Sequence, residues 1–279
     1  MPSHASTMPG AWRRFVALGD SFTEGLSDIT LAHGRHRGWA DLVALELAAR
    51  AAARGEDGIE YANLAVRGRL IRDVVRDQVP CAVDLEPDLA SLAVGVNDSL
   101  RRHFDLNAAA TGLESGVRQL REGGADVLLF AFGDPSRRSV AMAGVRTRIL
   151  RYNSAVEAIA ERYGCRLVSF WQVAAFDDDR FWDADRLHLS PDGHELAARA
   201  ALEALGLVGG DWRTPVVPGA SVPPHRRLAG HARWTSDHLL PWLVRRARGQ
   251  SSGDGIDPKH PDWVRVRSPD EVADGEPAK

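Results

Sequence analysis

Residues 15–25 read FVALGDSFTEG. Four apolar residues, Phe15 to Leu18, run without interruption into Gly19-Asp20-Ser21. A short apolar run closed by a turn predicts a strand buried on both faces. Asp20 and Ser21 then stand on the turn that leaves it.

Working outward, the same signal recurs. Apolar runs at 59–66, 89–96, 126–132 and 166–173 read as four more strands. Between them, Leu, Ala and Val recur at helical spacing over 39–54, 108–122 and 145–163. The stretch 70–83 is also helical, limited by Pro80, and 191–205 is the last clear helix of this series. Strands alternating with helices predict an α/β fold: a three-layer sandwich with about five parallel strands and helices on both faces. In such sheets ligands bind beyond the carboxyl ends of the strands. Ser21, Gly68 and Asn97 each follow a predicted strand, so all three are expected at that edge.

Bulk properties narrow the function. The 279 residues carry a net charge of -3, with 44% hydrophobic and 26% charged residues. That is an ordinary globular balance, and no basic surface speaks for nucleic acid. The first fifteen residues, MPSHASTMPGAWRRF, have no apolar core of a secretory signal, and no apolar run reaches the length of a membrane span. A cytoplasmic location without stable membrane insertion is expected. Oligomeric state is left open. Cys81 and Cys165 form no C-x-x-C pair; they read as small buried apolar residues, with a single disulfide as the second reading.

The domain is expected to span 10–208. Residues 209–249 form an extension that wraps or docks on it, rich in Pro, Arg and Val at first and carrying an amphipathic helix candidate at 234–248. Residues 250–279 read as a polar tail, disordered in part.

Four blocks carry chemistry. Ser21 is a weak nucleophile unless a base and a preorganised oxyanion site attend it; alone, Gly19-Asp20-Ser21 reads equally well as a turn with a capping serine. Residues 183–194, DADRLHLSPDGH, place Asp185 three residues before His188, just ahead of a helix capped by Ser190 with Pro191 at its first position. A carboxylate beside an imidazole can hold its tautomer. Asp183 and His194 compete for those roles, although His194 lies within the helix and is expected to face away from the edge. Gly68 lets a backbone N–H approach a ligand closely. Asn97, in Gly95-Val96-Asn97-Asp98, offers a side-chain amide to an oxyanion; its plainer reading is an Asx turn. The loop 134–148 brings four arginines towards the same edge, and a solvated loop is the favoured reading.

In order and spacing, the four blocks resemble the SGNH hydrolase superfamily, the GDSL-like lipases and esterases. The Ser block is Gly19 to Gly25, the Gly block Asn63 to Gly68, the Asn block Gly95 to Asp98, and the His block Asp185 to Pro191, followed by Asp192-Gly193-His194. The resemblance covers residues 15–205. It departs at Phe22, where the GDSL name has Leu, and at Arg69-Leu70, where small polar residues are usual. It implies the flavodoxin-like SGNH hydrolase fold and a carboxylic ester hydrolase that needs no metal or organic cofactor. Ser21 would be the nucleophile, His188 the base and Asp185 its orienting carboxylate. The N–H groups of Ser21 and Gly68 and the amide of Asn97 would form the oxyanion hole, with Gly19, Asp20, Gly95 and Asp98 in support. The partner is a small-molecule ester. A thioesterase, a carbohydrate deacetylase, a metallophosphoesterase and a non-catalytic binding protein on the same fold are the competing readings.

Overall fold

The structure, a computed structural model, describes residues 11–31, 34–137, 142–213 and 252–267. Six strands form one sheet: β1 (Arg14–Gly19), β2 (Ile59–Asn63), β3 (Leu89–Ala93), β4 (Asp126–Ala131), β5 (Arg166–Ser169) and β6 (His260–Val266). Their order is β5-β4-β3-β1-β2-β6. The first five are parallel, as their continuous apolar runs require. Helices cover both faces: α1 (Ser21–Glu24), α2 (Trp39–Ala53), α3 (Ile71–Asp73), α4 (Val79–Asp84), α5 (Val96–Ser99), α6 (Leu106–Glu122), α7 (Ala143–Tyr163) and α8 (Pro191–Ala204). Between α3 and α4 the helix widens into a π-turn, Val74–Gln78, and Pro80 falls in the first turn of α4.

The chain winds one way from β1 through β2 and the other way from β3 through β5. β1 and β3 are therefore neighbours whose onward connections diverge, which opens a crevice at their carboxyl ends. Ser21 follows β1 and Asn97 follows β3, so the predicted edge is the observed one.

The sixth strand corrects the reading of the C-terminal residues. Residues 260–266, taken as part of a polar tail, pair antiparallel with β2. Residues 214–251, including the helix candidate at 234–248, lie outside the described residues, as do 268–279. A strand pattern is weak in His260–Val266, which carries Pro261, Asp262 and Arg265 at exposed positions and only two Val, both half-buried. Its partner, β2, is some two hundred residues upstream. What holds it is tertiary. The ammonium of Lys259, almost wholly buried, meets Asp41 Oδ2 at 2.6 Å in the first turn of α2. At its far end the strap fits so closely that a Cβ on Gly58 would lie 2.0 Å from the Val266 carbonyl.

The core is continuous from Trp12 through β1 and β3 to α7 and α8. Phe22 joins it directly. Its ring packs 5.5 Å from Trp39 and 5.5 Å from Phe130, and it meets Phe132 and Phe170 edge-on. A large aromatic next to Ser21 thus anchors the turn into the core. Cys81 is exposed, against expectation, because it lies on the outer side of α4. Cys165 is half-buried, burial pushes its thiol up to about 11, and both are free thiols.

His194 ties α8 to α2. Its Nε2–H donates to the Leu26 carbonyl at 3.2 Å, so Nδ1 accepts from the Trp39 N–H at 3.3 Å. A carbonyl can only accept and an N–H only donate, so the neutral tautomer alone satisfies both. Burial drives its pKa down to about 4, and burial does the same to His260 in β6. Both histidines bind protons more readily unfolded than folded. Their contribution is complete above the unfolded value of about 6.5 and is lost as pH falls through the folded value near 4. Unfolding in urea at stepped pH should show stability falling across that window, by up to about 1.4 kcal/mol per pKa unit for the buried His194 and by less for the half-buried His260, which solvent screens. In His194→Gln the slope should be shallower; an unchanged slope would show that His194 is not held neutral.

Candidate active site

The crevice begins with two glycines. Gly19 ends β1 at φ +149, and a Cβ there would lie 2.2 Å from the Ala93 carbonyl of β3. Only glycine allows the two strands to close so tightly. Gly95 stands at φ +115 after β3, where a Cβ would strike the Tyr152 ring at 2.3 Å; the Tyr152 hydroxyl donates to the Val94 carbonyl at 2.8 Å. The buried Gln78 amide clasps Gly19 from the π-turn. It accepts from Gly19 N–H and donates to Gly19 C=O, both at 2.9 Å. Nothing in the local sequence singles out Gln78, since its role depends on an approach across 59 residues.

Ser21 opens the single-turn α1, which Asp20 caps by accepting from Phe22 N–H at 3.1 Å. His188 Nε2 lies 3.0 Å from Ser21 Oγ, and His188 Nδ1 lies 2.5 Å from Asp185 Oδ2. Asp185 Oδ1 also accepts from the N–H groups of Leu187 and His188, each at 2.9 Å. Burial alone would raise this carboxyl, but the His188 side chain and the two N–H donors outweigh it and hold it at about 2. An ionised carboxylate only accepts, so Nδ1 carries the proton and Nε2 is free to accept from Ser21 Oγ. This is the geometry by which an imidazole removes a hydroxyl proton during attack.

The loop that carries the pair is fixed at both ends. Trp182 and Leu189 form a β-bridge, and Asp183 N–H donates to the His188 carbonyl at 2.9 Å. Ser190 caps α8 through Gly193 N–H, as expected. Of the competitors, Asp183 accepts from Ser27 Oγ at 2.9 Å. His194 does not face away from the edge. It lies buried beneath the site with both nitrogens engaged, as described above, because the close approach of Gly193 to the Phe181 carbonyl draws the start of α8 against the crevice.

Asn97 stitches the remaining blocks together. Its Nδ2 donates to Asp20 Oδ2 at 3.0 Å and to the Arg69 carbonyl at 3.2 Å. Asp98 accepts from Ile71 N–H at 3.1 Å and so ties α5 to the segment after Gly68. Gly68 itself stands at φ +76. Among the described residues, the N–H groups of Ser21 and Gly68 donate to no protein acceptor. Asp20 is wholly enclosed, and burial pushes its carboxyl up to about 7 against the opposing pull of Phe22 N–H and His188. Asp98 is likewise raised by burial.

Beside Ser21 and His188 opens a cavity of about 100 Å³ with mostly apolar walls, among them Leu26, Leu100, Phe132, Ile149, Phe176 and Trp182. The arginines of the 134–148 loop mostly serve structure. Arg146 pairs with Asp134 and Arg137 with Asp177, while Arg148 donates to the carbonyls of Ser99 and Arg101. Arg138 lies outside the described residues. Among those residues no group of His, Cys, Asp and Glu is arranged to hold a metal ion, and no helix is long and apolar enough to cross a membrane.

The chain matches no curated protein. Among solved structures it is similar to LAE5, an alpha/beta hydrolase enzyme from the metagenome of Lake Arreo, Spain, at 23% identity over 71% of this chain and 97% of that one, with a TM-score of 0.58. It is also similar to the acetylxylan esterase Axe2 of Geobacillus stearothermophilus, at 22% identity over 72% and 95% of the two chains and a TM-score of 0.56. The psychrotrophic esterase EstA of a Pseudoalteromonas species follows at 18% identity over 69% and 96%, with a TM-score of 0.52. At these identities the likeness is one of fold. The model of the GDSL-like Lipase/Acylhydrolase family matches residues 17–196. That match runs from the end of β1 into α8 and takes in every segment that builds the crevice; the chain belongs to the GDSL-like lipase and acylhydrolase family, and its reaction is the hydrolysis of carboxylic esters.

Proposed function

We propose that the protein cleaves esters through a Ser21-His188-Asp185 triad and an acyl-enzyme, and that it prefers compact apolar acyl groups. The observation that carries this reading is the continuous chain from Ser21 Oγ through His188 to Asp185, 3.0 and 2.5 Å long, at the mouth of the crevice between β1 and β3.

Ser21 Oγ attacks the ester carbonyl carbon while Nε2 of His188 takes its proton. The imidazolium is stabilised by Asp185, which stays ionised. When the tetrahedral intermediate collapses, Nε2 returns the proton to the leaving alcohol and the acyl group remains on Ser21. Water then repeats the sequence in reverse and releases the acid.

The developing oxyanion is received by the N–H groups of Ser21 and Gly68 and by the Asn97 amide. The first two have no competing protein acceptor among the described residues. The hydrogen bonds of Asn97 to Asp20 and to the Arg69 carbonyl support its placement beside both. Asn97 Nδ2 has two hydrogens, so an oxyanion competes for the one held by the longer bond, to Arg69. The substrate preference follows from the cavity. Its volume is of the order that admits one small apolar molecule, and its walls offer few polar partners to a sugar.

Turnover of p-nitrophenyl esters should fall to background in Ser21→Ala, and equal activity in the two proteins would overturn the nucleophile assignment. Asp185→Asn should lower kcat by about 10³–10⁴, because the imidazole loses its tautomer, and Asn97→Ala by about 10²–10³. Short-chain esters should be preferred to long-chain ones, with Leu100→Trp shifting the optimum shorter. A flat chain-length profile in both proteins would show that the cavity does not receive the acyl group.

A further inference from the structure

We propose that the C-terminal strap, residues 252–267, is a positioning element for the oxyanion hole, acting through Gly253 on the peptide between Arg67 and Gly68. The proposal rests on the reading that the Gly68 N–H receives the oxyanion.

The Arg67 carbonyl and the Gly68 N–H belong to one peptide unit. That unit is planar, and in the trans form the two bonds point in opposite directions. Whatever fixes the direction of the Arg67 C=O therefore fixes the direction in which Gly68 N–H is presented. At Gly68, with φ +76, the backbone turns sharply just beyond this unit.

Two groups fix it. On one side the strap presses against it: a Cβ built on Gly253 would lie 2.1 Å from Arg67 O, 3.3 Å from Arg67 C and 2.8 Å from Val66 Cγ1. These backbones meet with no room for a methyl group. On the other side is Glu24, mostly buried at the end of α1. It accepts from Arg67 N–H at 2.7 Å and pairs with the Arg67 guanidinium. Glu24 is three residues from Ser21, so it refers Arg67, the residue that carries this carbonyl, to the same short helix that carries the nucleophile. The strap is itself anchored away from the site, by the buried Lys259–Asp41 pair and by the β2–β6 ladder. Gly253 and Glu24 are positioning residues, since neither meets the substrate.

The test uses the full chain with Gly253→Ala, and with Glu24→Gln as an independent variant should the first not fold. In each, kcat and KM for a p-nitrophenyl ester are normalised by active-site titration. The affinity of an alkylboronic acid is measured beside them, because its tetrahedral adduct with Ser21 places an oxygen in the oxyanion position. The expected result is a fall in kcat on the order of 10- to 100-fold, short of the loss of a whole donor. Boronate affinity should fall by a similar factor, and KM should change by no more than about two-fold. Arg267→Ala, at the far end of the strap, should leave all three values unchanged. If kcat per active site and boronate affinity stay within about two-fold of wild type in both variants, or if kcat falls without boronate affinity, the proposal is overturned. Wild-type turnover that does not depend on Ser21 would instead remove the reading beneath it.

Discussion

The contact between the ends of β1 and β3 is the constraint on which the site depends. These two strands are adjacent in the sheet but separated by β2 in the chain, and their registers bring Gly19 opposite Ala93. The Ala93 carbonyl occupies the space a side chain on residue 19 would need. With Gly19 in place, Asp20 and Ser21 leave β1 beside the turn that carries Gly95 and Asn97. One close approach therefore sets the nucleophile block and the amide block together. Gln78 secures it by accepting from Gly19 N–H and donating to Gly19 C=O, which also accepts from Val66 N–H at 3.3 Å.

Around that contact, buried and half-buried polar groups tie neighbouring segments together. Asn97 bridges Asp20 and Arg69, Asp98 holds Ile71, and Glu24 holds Arg67. Losing one member leaves others buried and unpaired, which costs more than the bond itself contributes. These ties are also why the loops of three separate strands behave as one surface. The third partner group arrives from the opposite side of the sheet order, on the loop before α8. It is placed by the Trp182–Leu189 bridge and by the packing of Gly193 on Phe181.

Much of this was legible in the residues. Continuous apolar runs mark buried parallel strands, and β1 to β5 lie where those runs lie. Ser190-Pro191 marks the start of α8 because capping is a local property of side chain and backbone. Asp185 and His188 are three residues apart on one loop, so their pairing also follows from local geometry. Other features have no local signature. His194 reads as an ordinary helix residue, yet it is buried with both nitrogens engaged, by groups 155 and 168 residues away. Cys81 reads as buried and is exposed. Residues 260–266 read as tail and form a strand, because the edge of β2 and the carboxylate of Asp41 are supplied from elsewhere in the chain.

The sequence by itself determined the order of β1 to β5 and of the longer helices between them, the turns at which Ser21, Gly68 and Asn97 stand, and the caps and short-range pairs that depend on neighbours within a few residues. These are properties of backbone preference and hydrophobic period, which act over one turn or one pleat. Only the tertiary structure decided that Ser21 Oγ meets His188, that Gln78 clasps Gly19, and that Gly253 bears on the peptide before Gly68. Each of these joins residues brought together by sheet order and core packing, and at such separations the chain carries no local record of which partners will meet.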